Sequence, residues 1–159
     1  MIVYHGSTVE IKNPDVEHSY RNLDFGKGFY VTSVKVQAER WAKRKADLSG
    51  TSTAIVTEYE MRDELKGFAV KEFTGDLSAW IDFVCDCRDG GADYMEYDII
   101  MGKVANDKVY RVVDMYRRGI WDKVRALQEI KVYETYDQIA FISQKAIDDV
   151  LKYSLSYEV

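Results

Sequence analysis

Phe25-Gly26-Lys27-Gly28-Phe29-Tyr30-Val31-Thr32 decides how this chain is read. An aromatic residue, two glycines flanking a lysine and an aromatic-aromatic-apolar run describe a tight turn feeding a strand. Glycine tolerates positive φ and lets another group approach the backbone closely. Loops carrying such glycines on a rigid scaffold are frequent binding sites. The N-terminus follows the same logic. Ile2, Val3 and Tyr4 read as a short strand, and His5-Gly6-Ser7 sits at its end. A histidine and a tyrosine thus lie at strand edges beside glycines, a pattern suited to a flat, aromatic ligand with polar edges.

Outward from these segments, residues 8–24 are polar and irregular, long enough for a functional loop. The spacing predicts a helix over 34–48, with Val34, Ala38, Trp41 and Lys45 on one face and Gly50 placed to stop it. Alternation and apolar runs predict strands over 54–60, 67–73, 98–104, 138–142 and 154–158. Amphipathic spacing predicts helices over 77–87, 107–118, 121–131 and 144–152, the first with Trp80, Ile81, Phe83 and Val84 as its core face. Strands and helices mix without regular βαβ alternation, so the expected class is α+β.

The 159 residues suit one domain spanning 1–159, and 47% apolar content supplies a core. The single proline, Pro14, argues against disordered linkers. No apolar run approaches membrane-spanning length, and the N-terminus lacks the pattern of a signal peptide. Cys85 and Cys87 are too close in sequence for a good structural disulfide, and no second Cys or His pair completes a zinc site. A reducing cytoplasm fits, with no membrane and no metal expected. The formal charge of −5 disfavours a general nucleic-acid binder. Local basic clusters at Arg40, Lys43-Arg44-Lys45 and Arg117-Arg118 read as solvated helix faces.

Tyr4-His5-Gly6-Ser7 and Phe25-Gly26-Lys27-Gly28-Phe29-Tyr30 together resemble the first and second motifs of the ADP-ribosyltransferase superfamily, on its diphtheria-toxin and poly(ADP-ribose) polymerase side. More of the chain resembles a bacterial family within it, the domain-of-unknown-function family 3990. The residues that carry this are Ser19-Tyr20-Arg21-Asn22-Leu23-Asp24, Gln37-Ala38 with Trp41-Ala42, Val104-Ala105-Asn106-Asp107-Lys108-Val109-Tyr110, and Gln138-Ile139-Ala140-Phe141. The resemblance implies a split two-sheet β-sandwich around a cleft, with flanking helices. It also implies NAD as substrate, cleaved between nicotinamide and ribose through an oxocarbenium-like state.

By that resemblance His5 hydrogen-bonds a ribose hydroxyl, and the backbone of Gly6, beside Ser7, binds the carboxamide. A side chain at Gly6 would block the ligand's approach. Gly28 belongs to the second-motif turn, and Tyr30 stacks on the nicotinamide. Trp41 lies where the polymerases place a second stacking tyrosine; a core position beside Val34 and Ala38 is the alternative. Ala38 stands where the polymerases carry a carboxamide-binding hydroxyl. Gln138 matches the third-motif position, often glutamate; its amide orients a hydroxyl but cannot act as a base. That disfavours chain elongation without excluding single transfer. Arg21 is a candidate for the pyrophosphate, with a surface salt bridge as its rival. Asn22 and Asp24 suit Asx turns, Lys27 a solvated turn, and Asn106 or Asp107 a helix cap, with Asp107 also a candidate for the missing negative charge. The expected function is NAD-dependent mono-ADP-ribosyl transfer to a macromolecule, protein rather than nucleic acid, in a bacterial toxin or defence effector with an antitoxin partner. A NAD glycohydrolase and a non-catalytic NAD- or protein-binding module remain open.

Overall fold

The computed structural model describes residues 1–19, 21–104, 107–131 and 136–159. Among the described residues seven strands form two open sheets. In the first, Ile2–Ser7 (β1) and Leu151–Glu158 (β7) flank Ile55–Met61 (β3), all antiparallel. In the second the order runs Phe29–Val31 (β2), Asp137–Phe141 (β6), Ile99–Lys103 (β5) and Val70–Glu72 (β4), antiparallel except for the parallel β4–β5 pair. The helices are Lys35–Ser49 (α1), Leu77–Arg88 (α2), Asp107–Arg117 (α3), Lys123–Ile130 (α4) and Gln144–Val150 (α5). The fold is the α+β, split two-sheet sandwich with flanking helices that the sequence led us to expect.

Strand alternation distributes the apolar residues over three layers. Between the sheets, Val3, Tyr59 and Met61 meet Phe29, Val31, Ile99, Ile139 and Phe141, closed at one end by Ala146, Ile147 and Val150 of α5. The outer face of the second sheet gives Tyr30, Ile100 and Ala140 to a cluster with Trp80, Ile81 and Val84 of α2, Val109, Val112 and Val113 of α3, and Ala126 and Ile130 of α4. The outer face of the first sheet packs Val56, Tyr4 and Tyr157 against Ala38, Ala42 and Ala46 of α1.

Two local differences from the sequence reading have physical causes. The buried stripe of α1 is Gln37, Ala38, Ala42 and Ala46, so the helix is rotated away from the predicted stripe of Val34, Ala38, Trp41 and Lys45. Alanines let this helix lie close to the sheet, and Trp41 is displaced to a half-buried flank. The last helix ends at Val150, and the chain enters β7 at Leu151, where pairing with Met61 begins. Other boundaries follow local chemistry. Asp76, Asp122 and Ser143 cap α2, α4 and α5 through their side chains. Gly50 ends α1 at φ +69. Among the described residues no helix is long and apolar enough to cross a membrane.

The register of β1 is what positions the site. Met1 and Met61 exchange two backbone hydrogen bonds, so in this antiparallel ladder Val3, His5 and Ser7 bond to β3, while Tyr4 and Gly6 point their N–H and C=O groups the other way. Tyr4 uses that direction to bridge to the second sheet. Its N–H donates to Thr32 O at 2.8 Å, and Thr32 N–H donates back at 2.9 Å. Continued ladder pairing would join Gly6 to Tyr30, but the bridge is isolated and the sheets part there.

Gly6 also lies where α1 crosses. A Cβ at this position would fall inside the van der Waals shell of Ala38 O, 2.7 Å from Ala42 N and 3.0 Å from Trp41 Cβ. The helix backbone fills the space that the sequence reading reserved for a ligand, so packing alone already requires glycine. Gly6→Ala is expected to lower stability by about 1–3 kcal/mol, through overpacking against backbone that cannot rotate away. A urea unfolding midpoint equal to that of the wild type would contradict this close approach.

Candidate functional site

Where β1 and β2 part, the unformed Gly6–Tyr30 pair leaves two carbonyls without ladder partners. Side chains satisfy both. His5 Nδ1 lies 2.6 Å from Tyr30 O. Lys45 Nζ donates to Gly6 O at 2.7 Å. A carbonyl oxygen only accepts, so Nδ1 carries the proton and Nε2 of the neutral ring is an acceptor. The imidazole stacks on Phe29, with centroids 4.5 Å apart. His5 keeps some exposed surface, yet desolvation pushes its pKa down to about 3, helped by the Lys45 charge and opposed by the bond to Tyr30. Desolvation also lowers the Lys45 ammonium to about 8, although the residue as a whole is exposed. The ammonium itself is drawn onto the Gly6 carbonyl.

The side chain of Tyr30 points away from His5. Its neighbours Phe29 and Val31 lie between the sheets, whereas the Tyr30 ring joins Phe25 and Trp80 on the far side. The Tyr30 hydroxyl donates to Gly26 O at 2.6 Å and accepts from Phe25 N–H at 3.0 Å, which ties down the glycine turn. Burial first, then the charge of Asp24, raises this hydroxyl well above its ordinary pKa.

Gln138 lies two residues before Ala140, the β6 partner of Tyr30, and so shares its face. It is 3% exposed. Its Nε2 donates to Asp24 Oδ2 at 3.1 Å and to Lys103 O at 3.0 Å. Trp80 Nε1 donates to the same Lys103 carbonyl at 3.1 Å. Asp24, itself buried, pairs with Arg88, whose guanidinium stands 4.5 Å from the centroid of the Tyr110 ring. Both Nε2 hydrogens of Gln138 are thus committed, which fixes the direction of Oε1 as an acceptor. The surroundings explain the amide. A glutamate here would turn lone pairs toward a carboxylate and a carbonyl at once. Asp24, expected to serve only in a turn, places the negative charge one hydrogen bond from the third-motif position.

Asp137 projects elsewhere, as alternation requires. It accepts from Thr32 Oγ1 at 2.6 Å, from Ser33 N–H at 3.0 Å and from the Ser33 hydroxyl, beside the start of α1. Gly28 N–H donates to Ser19 Oγ at 2.8 Å, and a Cβ on Gly28 would come 2.6 Å from Phe141 O, so that glycine seats β2 against β6. Ser7 is half-buried at the end of β1, opposite Ile55. Trp41 flanks Gly6 from α1. Arg21 and Lys27 are exposed in the segment before β2. Asn106 and the Asp107 side chain lie outside the described residues. The structure therefore gathers His5, Gly6, Trp41 and the Tyr30 carbonyl at the parting of the sheets. It sets the Tyr30 ring and Gln138 on the far face, with Asp24 and Arg88. Lys45, Asp24 and Arg88 escaped the sequence reading because only burial and contact distinguish them from other charged residues. Among the described residues no three His, Cys, Asp or Glu side chains converge to hold a metal ion.

A family model described as "Protein of unknown function (DUF3990)" matches residues 1–153. No curated protein and no solved structure matches the chain.

Two outcomes are expected from this geometry. Because the folded His5 pKa is depressed below the unfolded value near 6.5, its stabilising contribution is present above that value and is lost as pH falls toward about 3. Nitrogen-15 spectra should show the Nδ1–H tautomer unchanged between pH 8 and pH 5; titration near 6.5 would refute it. Gln138→Glu should destabilise the fold by about 3 kcal/mol at neutral pH, because it buries a second carboxylate against Asp24. The same contact raises the folded pKa of the new carboxyl, so the loss should vanish below its unfolded value and grow as pH rises. Equal urea midpoints for wild type and variant at pH 7 would show that the network does not select the amide.

Proposed function

We propose, from the premise that the chain belongs to the DUF3990 family, that it breaks the bond between nicotinamide and ribose in NAD and passes the ADP-ribosyl group to a macromolecular acceptor. The observation that carries this reading is the parting of β1 and β2, where His5 is held as one neutral tautomer beside Gly6. A neutral imidazole with Nε2 as acceptor binds a ribose hydroxyl without adding positive charge beside a developing oxocarbenium ion. A protonated ring would oppose that charge.

In this reaction the carbon–nitrogen bond breaks with its electron pair leaving on the nicotinamide nitrogen. The acceptor nucleophile bonds to the ribose carbon and releases its proton. Gln138, whose amide Asp24 orients, stands on the far face of the second sheet and acts by positioning β6 against the glycine turn. Neither acts as the base that would activate a second ribose, since the amide has no basic site and Asp24 is committed to Arg88 and Gln138. Single transfer to a protein therefore fits better than polymer growth. The biological form of this proposal is a bacterial effector held in check by a neutralising antitoxin.

Nicotinamide release from NAD by the purified protein, with and without bacterial lysate, tests the reading. Release should require lysate and should carry label from the adenosine half of NAD into the protein fraction. His5→Ala should lower release by about 10²–10³, the usual loss for one well-placed polar group. Equal release without lysate would reassign the site to hydrolysis, and absence of release from folded protein under both conditions would sink the proposal.

A further inference from the structure

The acceptor that the resemblance offers to a carboxamide is already in use. A carboxamide both donates and accepts, so it needs a carbonyl and an N–H on the protein. Gly6 directs both toward the opening, but Lys45 Nζ holds its carbonyl at 2.7 Å. What remains is a pair of donors, the Gly6 N–H and the Lys45 ammonium. Ala38, buried on α1 beside Gly6, has no hydroxyl to restore an acceptor. A carboxylate presents two acceptor oxygens and a negative charge, which matches this pair.

We propose, on the basis of the dinucleotide site above, that the opening between β1 and β2 takes a pyridine ring bearing a carboxylate in preference to one bearing a carboxamide, with Lys45 as the specificity-determining residue. The preferred donor is then the acid form of NAD, and its cleavage releases nicotinate. Charge acts in the same direction as hydrogen bonding. The pyridinium ring is cationic, and an ammonium beside it repels the amide form, whereas the carboxylate of the acid form offsets both. With its pKa lowered only to about 8, Lys45 is mostly charged at neutral pH. His5, the other titratable group at this opening, stays neutral and does not cancel that preference.

Calorimetric titration of the full chain with NAD and, separately, with nicotinic acid adenine dinucleotide tests the assignment at pH 7. The acid form should bind about 10- to 100-fold more tightly, the range of a charge-assisted hydrogen bond against an unpaired amide. Lys45→Met keeps the apolar stem, removes the ammonium and frees the Gly6 carbonyl. In that variant the acid form should weaken, NAD should strengthen, and the ratio should collapse or invert. An identical ratio in wild type and variant, or tighter binding of NAD by the wild type, would overturn the role of Lys45 while leaving a dinucleotide site intact. If folded protein binds neither dinucleotide, the proposed function falls together with this inference.

Discussion

One isolated backbone bridge, Tyr4 with Thr32, joins β1 to β2, and the rest of the site depends on where it stops. Antiparallel pairing, once begun, recruits the next residues at little further entropic cost, so a ladder that ends after one pair needs a cause. Here the chain supplies substitutes. The next carbonyl on β2 takes an imidazole N–H, and the next on β1 takes an ammonium. Leaving such groups unpaired away from water costs about as much as a lost hydrogen bond, so these two side chains are what make an open edge tolerable. The parting of the strands is thereby a built feature, with an ammonium on one freed carbonyl and an imidazole on the other.

The close approach of α1 follows from the same strand. Gly6 has no Cβ, Ala38 and Ala42 are small, and the helix backbone comes near enough for Lys45 to reach the Gly6 carbonyl. The glycine therefore serves packing directly, and through that packing it sets the Lys45 contact. Turning Gly6 into a ligand contact in the mind's eye is natural from sequence, because an edge glycine invites a close approach; the structure shows that a helix claims that space on one side while the backbone polar groups face the opening on the other.

On the far face of the second sheet, a buried network takes the place of a single acidic residue. Arg88, Asp24 and Gln138 are linked in series, with Lys103 O and Trp80 Nε1 closing the amide's surroundings. Buried charges persist when they are paired and hydrogen-bonded, and here the pairing fixes the orientation of a neutral side chain. The Tyr30 hydroxyl, nearby in the same cluster, holds the Phe25-Gly26 turn that carries Asp24 into place. Asp24, the glycine turn and β6 are thus coupled through polar contacts at the core's edge.

The sequence by itself determined the class of fold, the number and order of the main elements and the two glycine segments around which the site forms. Those depend on local periodicity and turn chemistry, all of which are written within a few residues: the alternation of residues 54–60, the amphipathic spacing of 77–87, and Gly50 after α1. The tertiary structure alone decided which face of α1 is buried, which glycines serve packing, and which charged residues matter. Lys45 read as one position of the predicted α1 stripe and one more cation in a solvated cluster, and Asp24 as a turn residue. Their roles come from contacts with Gly6, 39 positions away, and Gln138, 114 positions away. Desolvation and hydrogen bonding act across such separations only once the chain has folded, so no local pattern in the sequence could carry them.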